Sequence, residues 1–109
     1  MVEESKEVNE VDKALLESID EGLLALGVNV RQVLYLHLER HYKVGRDDIP
    51  KKVEDLHEVL EELLGDGGGV LEKFIARRFY SRLGLDFVDH KGWTLTDYVS
   101  SARKICREK

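Results

Sequence analysis

The sequence predicts an all-α fold, a compact single-domain bundle of about five helices joined by short loops. Two observations predict it. Apolar residues recur every three or four positions along five separate stretches, the period of a helix that buries one face. Only one proline interrupts the 109 residues, so little in the chain removes the backbone donors that helices need. At this length one domain hides roughly two-thirds of the surface that its unfolded chain exposes, enough for one modest core.

The acidic residues 1–8 are expected to form a flexible tail, leaving 9–109 as the helical domain. Val8, Val11, Leu15, Ile19 and Leu23 make the stripe of a first helix reaching about Leu26, with Gly27 as its stop. Asn29 is the expected N-cap of a second helix, whose stripe is Val30, Val33, Leu34 and Leu38 and whose end is Tyr42. "KVGRDDIPKK" breaks the pattern. Gly45 is expected to turn the chain in a left-handed conformation, and Pro50 to hold Ile49 extended with its side chain tucked inward.

A third helix begins near Lys52, with a stripe of Val53, Leu56, Val59, Leu60, Leu63 and Leu64. The glycines of "GDGGG" end it and are expected to make an adaptable turn. A fourth helix follows from about Val70 to Leu83, with Leu71, Ile75, Phe79 and Leu83 four residues apart and Gly84 as its cap. Within 85–93, Leu85 and Phe87 alternate only briefly, which leaves strand, loop and partner-binding arm open. Thr94 and Asp97 form an acidic capping box for the last helix, Trp93 is placed to staple onto Tyr98, and Leu95, Tyr98, Val99, Ala102 and Ile105 form its stripe.

The N-terminus has neither the basic start nor the apolar run of a secretory signal, and no apolar stretch approaches the roughly 20 residues that span a bilayer. A single cysteine, Cys106, precludes an internal disulfide. These features predict a cytoplasmic protein. The net charge of −5 argues against wholesale polyanion binding. That charge is unevenly spread. Residues 1–21 carry eight acids against two lysines and residues 47–66 repeat that tally, whereas residues 67–85 carry one acid against four bases.

No motif dictates a reaction. The glycine cluster follows a helix and lacks the G-K-[ST] ending of a P-loop. There is no nucleophile elbow, and Glu54, Glu58 and Glu61 read as a solvated face. No catalytic residue and no cofactor are expected. His37 and His41, one turn apart in "HLERH", are metal-ligand candidates that would need further ligands from elsewhere. The fourth helix offers a basic face of Lys73, Arg77 and Arg78 flanked by Phe74, and Arg103, Lys104 and Arg107 form a second positive cluster. The competing account is that these cations answer the acids of helices one and three.

From "LYLHLERHYKV" onward, "DDIP" at 47–50, "LEELLG" at 60–65 and "LEKFIARRFYSRLGL" precede an aromatic-tipped final segment. Over about residues 11–100 this order resembles the nitrosopumilus output domain, a small archaeal helical family. The resemblance implies a regulatory or output module acting through interaction, and it carries over no functional residue. The expected function is therefore a non-catalytic domain that recognises a protein partner through helix faces. The alternative is nucleic-acid binding by the helix at 70–83, and a third is a metal or ligand site around His37 and His41.

Overall fold

The computed structural model describes the backbone from Val2 to Glu108 and the side chains of residues 10–107. Five α-helices account for most of it: α1 (Val2–Leu24), α2 (Val28–Tyr42), α3 (Val53–Leu64), α4 (Asp66–Leu83) and α5 (Leu95–Glu108). A 3₁₀ helix, Arg46–Lys51, joins α2 to α3. No strand occurs among the described residues, and 85–93 is an irregular segment pinned by Leu85 and Phe87 against the core. Of the stretch expected as a tail, residues 2–8 belong to the backbone of α1; Met1 and the side chains of this stretch lie outside the described residues.

α4 is the central helix, packed against α1, α3 and α5. It runs antiparallel to α1, because Arg78 meets Glu21 and Arg82 meets Glu17. Leu15, Ile19 and Leu23 bury the predicted face of α1 against Ile75 and Phe79 of α4 and the Leu56 and Leu60 pair of α3 within one core. The α1 crossing is close at Gly22, where a Cβ would lie 2.5 Å from Ile75 Cγ1.

The glycine run is not a loose turn. Gly65 alone joins α3 to α4, at φ 59°, ψ −130°, a backbone conformation that only glycine adopts without strain. Gly67, Gly68 and Gly69 belong to the first turns of α4, which therefore starts four residues before Val70. Gly68 is the reason. A Cβ there would lie 2.8 Å from the Leu60 carbonyl oxygen, so its absence lets the two helix backbones approach directly.

Other expectations are corrected in detail. Asn29 is not the N-cap of α2: Gly27, at φ 120°, turns the chain two residues earlier, and its carbonyl accepts from Arg31 N–H at 3.1 Å. The left-handed residue after α2 is Lys43, at φ 61°, while Gly45 is extended. Ile49 is buried as expected, but inside the 3₁₀ helix, where its carbonyl accepts from Lys52 N–H. On α2 only Leu34 and Leu38 of the four stripe residues are buried, because α1 and α3 cover one narrow side of the helix. Val30 and Val33 are exposed, and so are Leu63 at the end of α3, where no further turn covers it, and Ile105 near the end of α5.

α5 starts as its sequence dictates. Thr94 N–H donates to Asp97 Oδ2 at 2.9 Å, and Tyr98 N–H returns to the Thr94 carbonyl. Trp93 packs edge-on against Tyr98 with ring centroids 5.0 Å apart and stacks on His90. Phe87, Tyr80 and Tyr98 complete an aromatic cluster beneath the 85–93 segment, and Tyr80 donates its hydroxyl to the Tyr98 carbonyl at 2.7 Å.

Candidate interaction surfaces

The basic face of α4 is largely answered by acids of the same chain. Lys73 Nζ lies 3.1 Å from Asp89 Oδ2. This bond, against the opposing effect of desolvation and with help from the Lys73 charge and the Tyr98 hydroxyl, holds the Asp89 carboxyl below the usual range. Arg78 Nε donates to Glu21 Oε1 at 3.0 Å, and Arg82 reaches Glu17 at 2.9 Å and also Glu21. The acids that respond are those of α1 and the 85–93 segment. The α3 acids expected to share this task do not, for their ion pairs among the described residues are with His37 and His57.

Arg77 is the exception on α4. It is exposed, enters no ion pair among the described residues, and holds its guanidinium 5.1 Å from the centre of the Phe87 ring. Phe74 is 39% exposed, with Arg78 over its ring at 5.5 Å. Together with Glu21, Ser81 and Arg82 these residues line an open groove of about 470 Å³ between α1 and α4. The second positive cluster is split. Arg103 turns inward, donating to the Pro50 carbonyl at 2.9 Å and lying 2.9 Å from Asp12 Oδ1, whereas Lys104 and Arg107 stay exposed on α5. The Arg103 to Asp12 contact is an ion pair without hydrogen-bond alignment, so Asp12 Oδ1 accepts no hydrogen bond.

His37 and His41 do come together, their ring centroids 4.4 Å apart, and His37 Nε2 lies 3.5 Å from Glu62. No group of three or more His, Cys, Asp or Glu among the described residues is arranged to hold a metal ion. The contact with Glu62 nevertheless fixes an orientation. It sets the flank of α2 that carries Val30, Val33, His37 and His41 beside the last turn of α3, where Leu63 emerges.

That corner is apolar. Leu24 ends α1 and Leu26 follows in the turn, Val28 opens α2 at 51% exposure, Val30 and Val33 follow, the latter at 58%, and Leu63 near the end of α3 is 46% exposed. Gly27 brings Val30 back toward the α1 end, its Cγ2 3.9 Å from where a Gly27 Cβ would be. Elsewhere Val70 lies 74% exposed one turn before Phe74 on α4.

Two polar centres escaped the sequence reading. Glu72 is only 3% exposed, and both its oxygens are used: Oε1 accepts from Leu95 N–H at 2.8 Å, capping α5 from outside, and Oε2 lies 2.5 Å from His57 Nδ1. An ionised carboxylate only accepts, so Nδ1 carries the proton. Burial alone lowers the His57 pKa, but the Glu72 bond and the charges of Glu72, Glu61 and Glu58 prevail and raise it above 6.5. The signal was present, since Glu72 is spaced three, four and seven residues from Ile75, Ala76 and Phe79 on the buried face.

The second centre is Asp20, which accepts from Tyr35 and Arg46 and so ties α1 to α2 and the 3₁₀ helix. Partial burial raises its pKa, yet the bonds from Arg46 and Tyr35 outweigh that and leave it below 3.8. Burial and the Asp20 carboxylate raise the Tyr35 phenol far above its ordinary range. Asp20, Tyr35 and Arg46 lie far apart in sequence, and no spacing rule joins them.

No helix among the described residues is long and apolar enough to cross a membrane. Comparison with protein-family models, with curated proteins and with solved structures finds no match to this chain.

Proposed function

We propose that this protein is a non-catalytic helical interaction module that docks a protein partner through the corner formed by the end of α1, the outer flank of α2 and the last turn of α3. The observation that carries the reading is the exposure of Leu24, Leu26, Val28, Val30, Val33 and Leu63 there. Apolar side chains scattered singly over a surface need no explanation, whereas a contiguous group of them marks a contact site. The resemblance to archaeal output domains implies the same class of role. In a cross-linking pull-down, wild-type protein should retain partners that a Val30→Ser, Val33→Ser double variant loses while keeping its melting temperature. Identical retention by both proteins would refute the reading.

One observation favours nucleic acid as a second reading, namely the Phe74 and Arg77 groove. It predicts micromolar binding of a labelled duplex or single strand that weakens linearly with the logarithm of salt concentration and is weaker in Arg77→Ala. The ion pairing of Lys73, Arg78 and Arg82 with acids of this chain weighs against it. An absence of binding at low salt would remove this alternative.

A further inference from the structure

The apolar corner has an edge of definite charge. Along α3, Glu54, Glu58, Glu61 and Glu62 are all exposed, and Asp66 continues the series at the start of α4. No Lys or Arg among the described residues pairs with any of them; Glu61 and Glu62 approach only His57 and His37, each at 3.5 Å. Elsewhere Asp12, Glu17, Asp20, Glu21 and Asp89 each face an arginine or lysine. Among the described residues, acids without such a partner stand singly on other elements, at Glu39, Asp48 and Asp86, and form a row only along α3, beside the apolar strip.

A surface with that pattern selects its occupant by charge as well as by shape. Opposite charge along a rim steers association and excludes partners bearing like charge, while the apolar strip supplies the area that is removed from water. An amphipathic helix lays its apolar stripe into such a strip, and side chains at one edge of that stripe then stand over α3. A second copy of this chain answers the acids poorly: a twofold axis across the strip sets the α3 glutamates of two copies together, and one along the strip leaves each row facing the partner's uncharged edge.

Resting on the interaction reading above, we infer that the partner is a basic amphipathic helix, seated with its apolar stripe on Val30, Val33 and Leu63 and with lysine or arginine side chains along the edge that faces Glu58, Glu61 and Glu62. The acids of α3 thus determine which way round the partner lies and which partners are refused.

The test titrates the isotopically labelled full chain with two synthetic amphipathic peptides that share one leucine stripe, one edged with lysine and the other with glutamate. The lysine peptide should shift the amides of residues 24–33 and 58–63 and bind at least about tenfold more tightly than the glutamate peptide. Its advantage should shrink with added salt and vanish in Glu58→Gln, Glu61→Gln, Glu62→Gln, while Val33→Ser weakens both peptides. All four substituted side chains are exposed, so unchanged circular dichroism and melting should accompany these effects. Equal affinity of the two peptides at this corner would overturn the charge inference and leave the docking reading standing. Self-association abolished by Val33→Ser would overturn it in favour of a second copy. Shifts confined to the α1 and α4 groove, or none at all, would overturn both.

Discussion

At the scale of single residues, Glu72 shows how one acid in an apolar stripe can organise three helices. Its two oxygens hold the start of α5 and the side of α3 while its backbone belongs to α4. Glu72→Ala leaves Leu95 N–H and His57 without that acceptor and should destabilise by about 2–4 kcal/mol in urea unfolding. Glu72→Gln keeps an acceptor for Leu95 but not the ionic bond. Because the folded pKa of His57 is raised, the ionic contribution is fully present below about pH 6.5 and is lost as pH rises through the folded value. The deficit of Glu72→Gln should therefore be largest near pH 6 and shrink toward pH 8, and a deficit independent of pH would show that the charge contributes nothing. Asp20 has the opposite sign. Its depressed pKa adds stability above its ordinary value near 3.8, and that stability disappears as acid protonates it. Neither centre was legible as a site, because burial and partner depend on how helices distant in sequence come together. Glu72 alone left a trace, as an acid at a core spacing.

At the scale of elements, the helices were legible wherever a local rule decides them. The capping box of α5, the left-handed Gly84 and the stripes of α1, α3 and α4 follow from residues within a few positions of one another. The misread ends have another cause. The sequence predicts a turn at Gly67–Gly69 because glycine disfavours helices, and the close approach of α3 and α4 that reverses this preference is invisible locally. Paired substitutions separate the two effects. Gly69→Ala, whose Cβ meets nothing within 4 Å, should stabilise by about 0.5–1 kcal/mol through propensity. Gly68→Ala, which must displace the Leu60 carbonyl, should destabilise by about 1–3 kcal/mol despite the same propensity gain. Thermal melts of the two variants that moved in the same direction would refute the packing role of Gly68. Asp97→Ala should cost about 1 kcal/mol through the lost cap. Similarly, Val30 and Val33 fit a helical stripe, but α2 is too lightly covered to bury them.

At the scale of the whole molecule, the acid and base blocks of the sequence resolve into two different uses. The cations of α4 turn to α1 and the 85–93 segment, and the acids of α3 turn outward. The α4 pairs are exposed enough that each contributes only about 0–1 kcal/mol, so Arg82→Ala should lower stability by less than about 1 kcal/mol in urea unfolding. A larger loss would mean that the aliphatic stem of Arg82, rather than its charge, supports the α1 seam. The candidate corner could not be foreseen from composition, because it is assembled from separate chain segments, and Val30, Val33 and Leu63 each fit a core stripe. The α1 to α4 seam has a further consequence, for the order in which the chain folds. α3 and α4 meet across the single residue Gly65, whereas Glu21 and Glu17 find Arg78 and Arg82 only after 57 and 65 residues have been closed into a loop. Closing a long loop is entropically dearer than folding a hairpin of adjacent helices. The α3 and α4 hairpin is therefore expected in the folding nucleus, with α1 docking late: in stopped-flow kinetics Gly68→Ala should slow refolding, whereas Gly22→Ala should mainly speed unfolding.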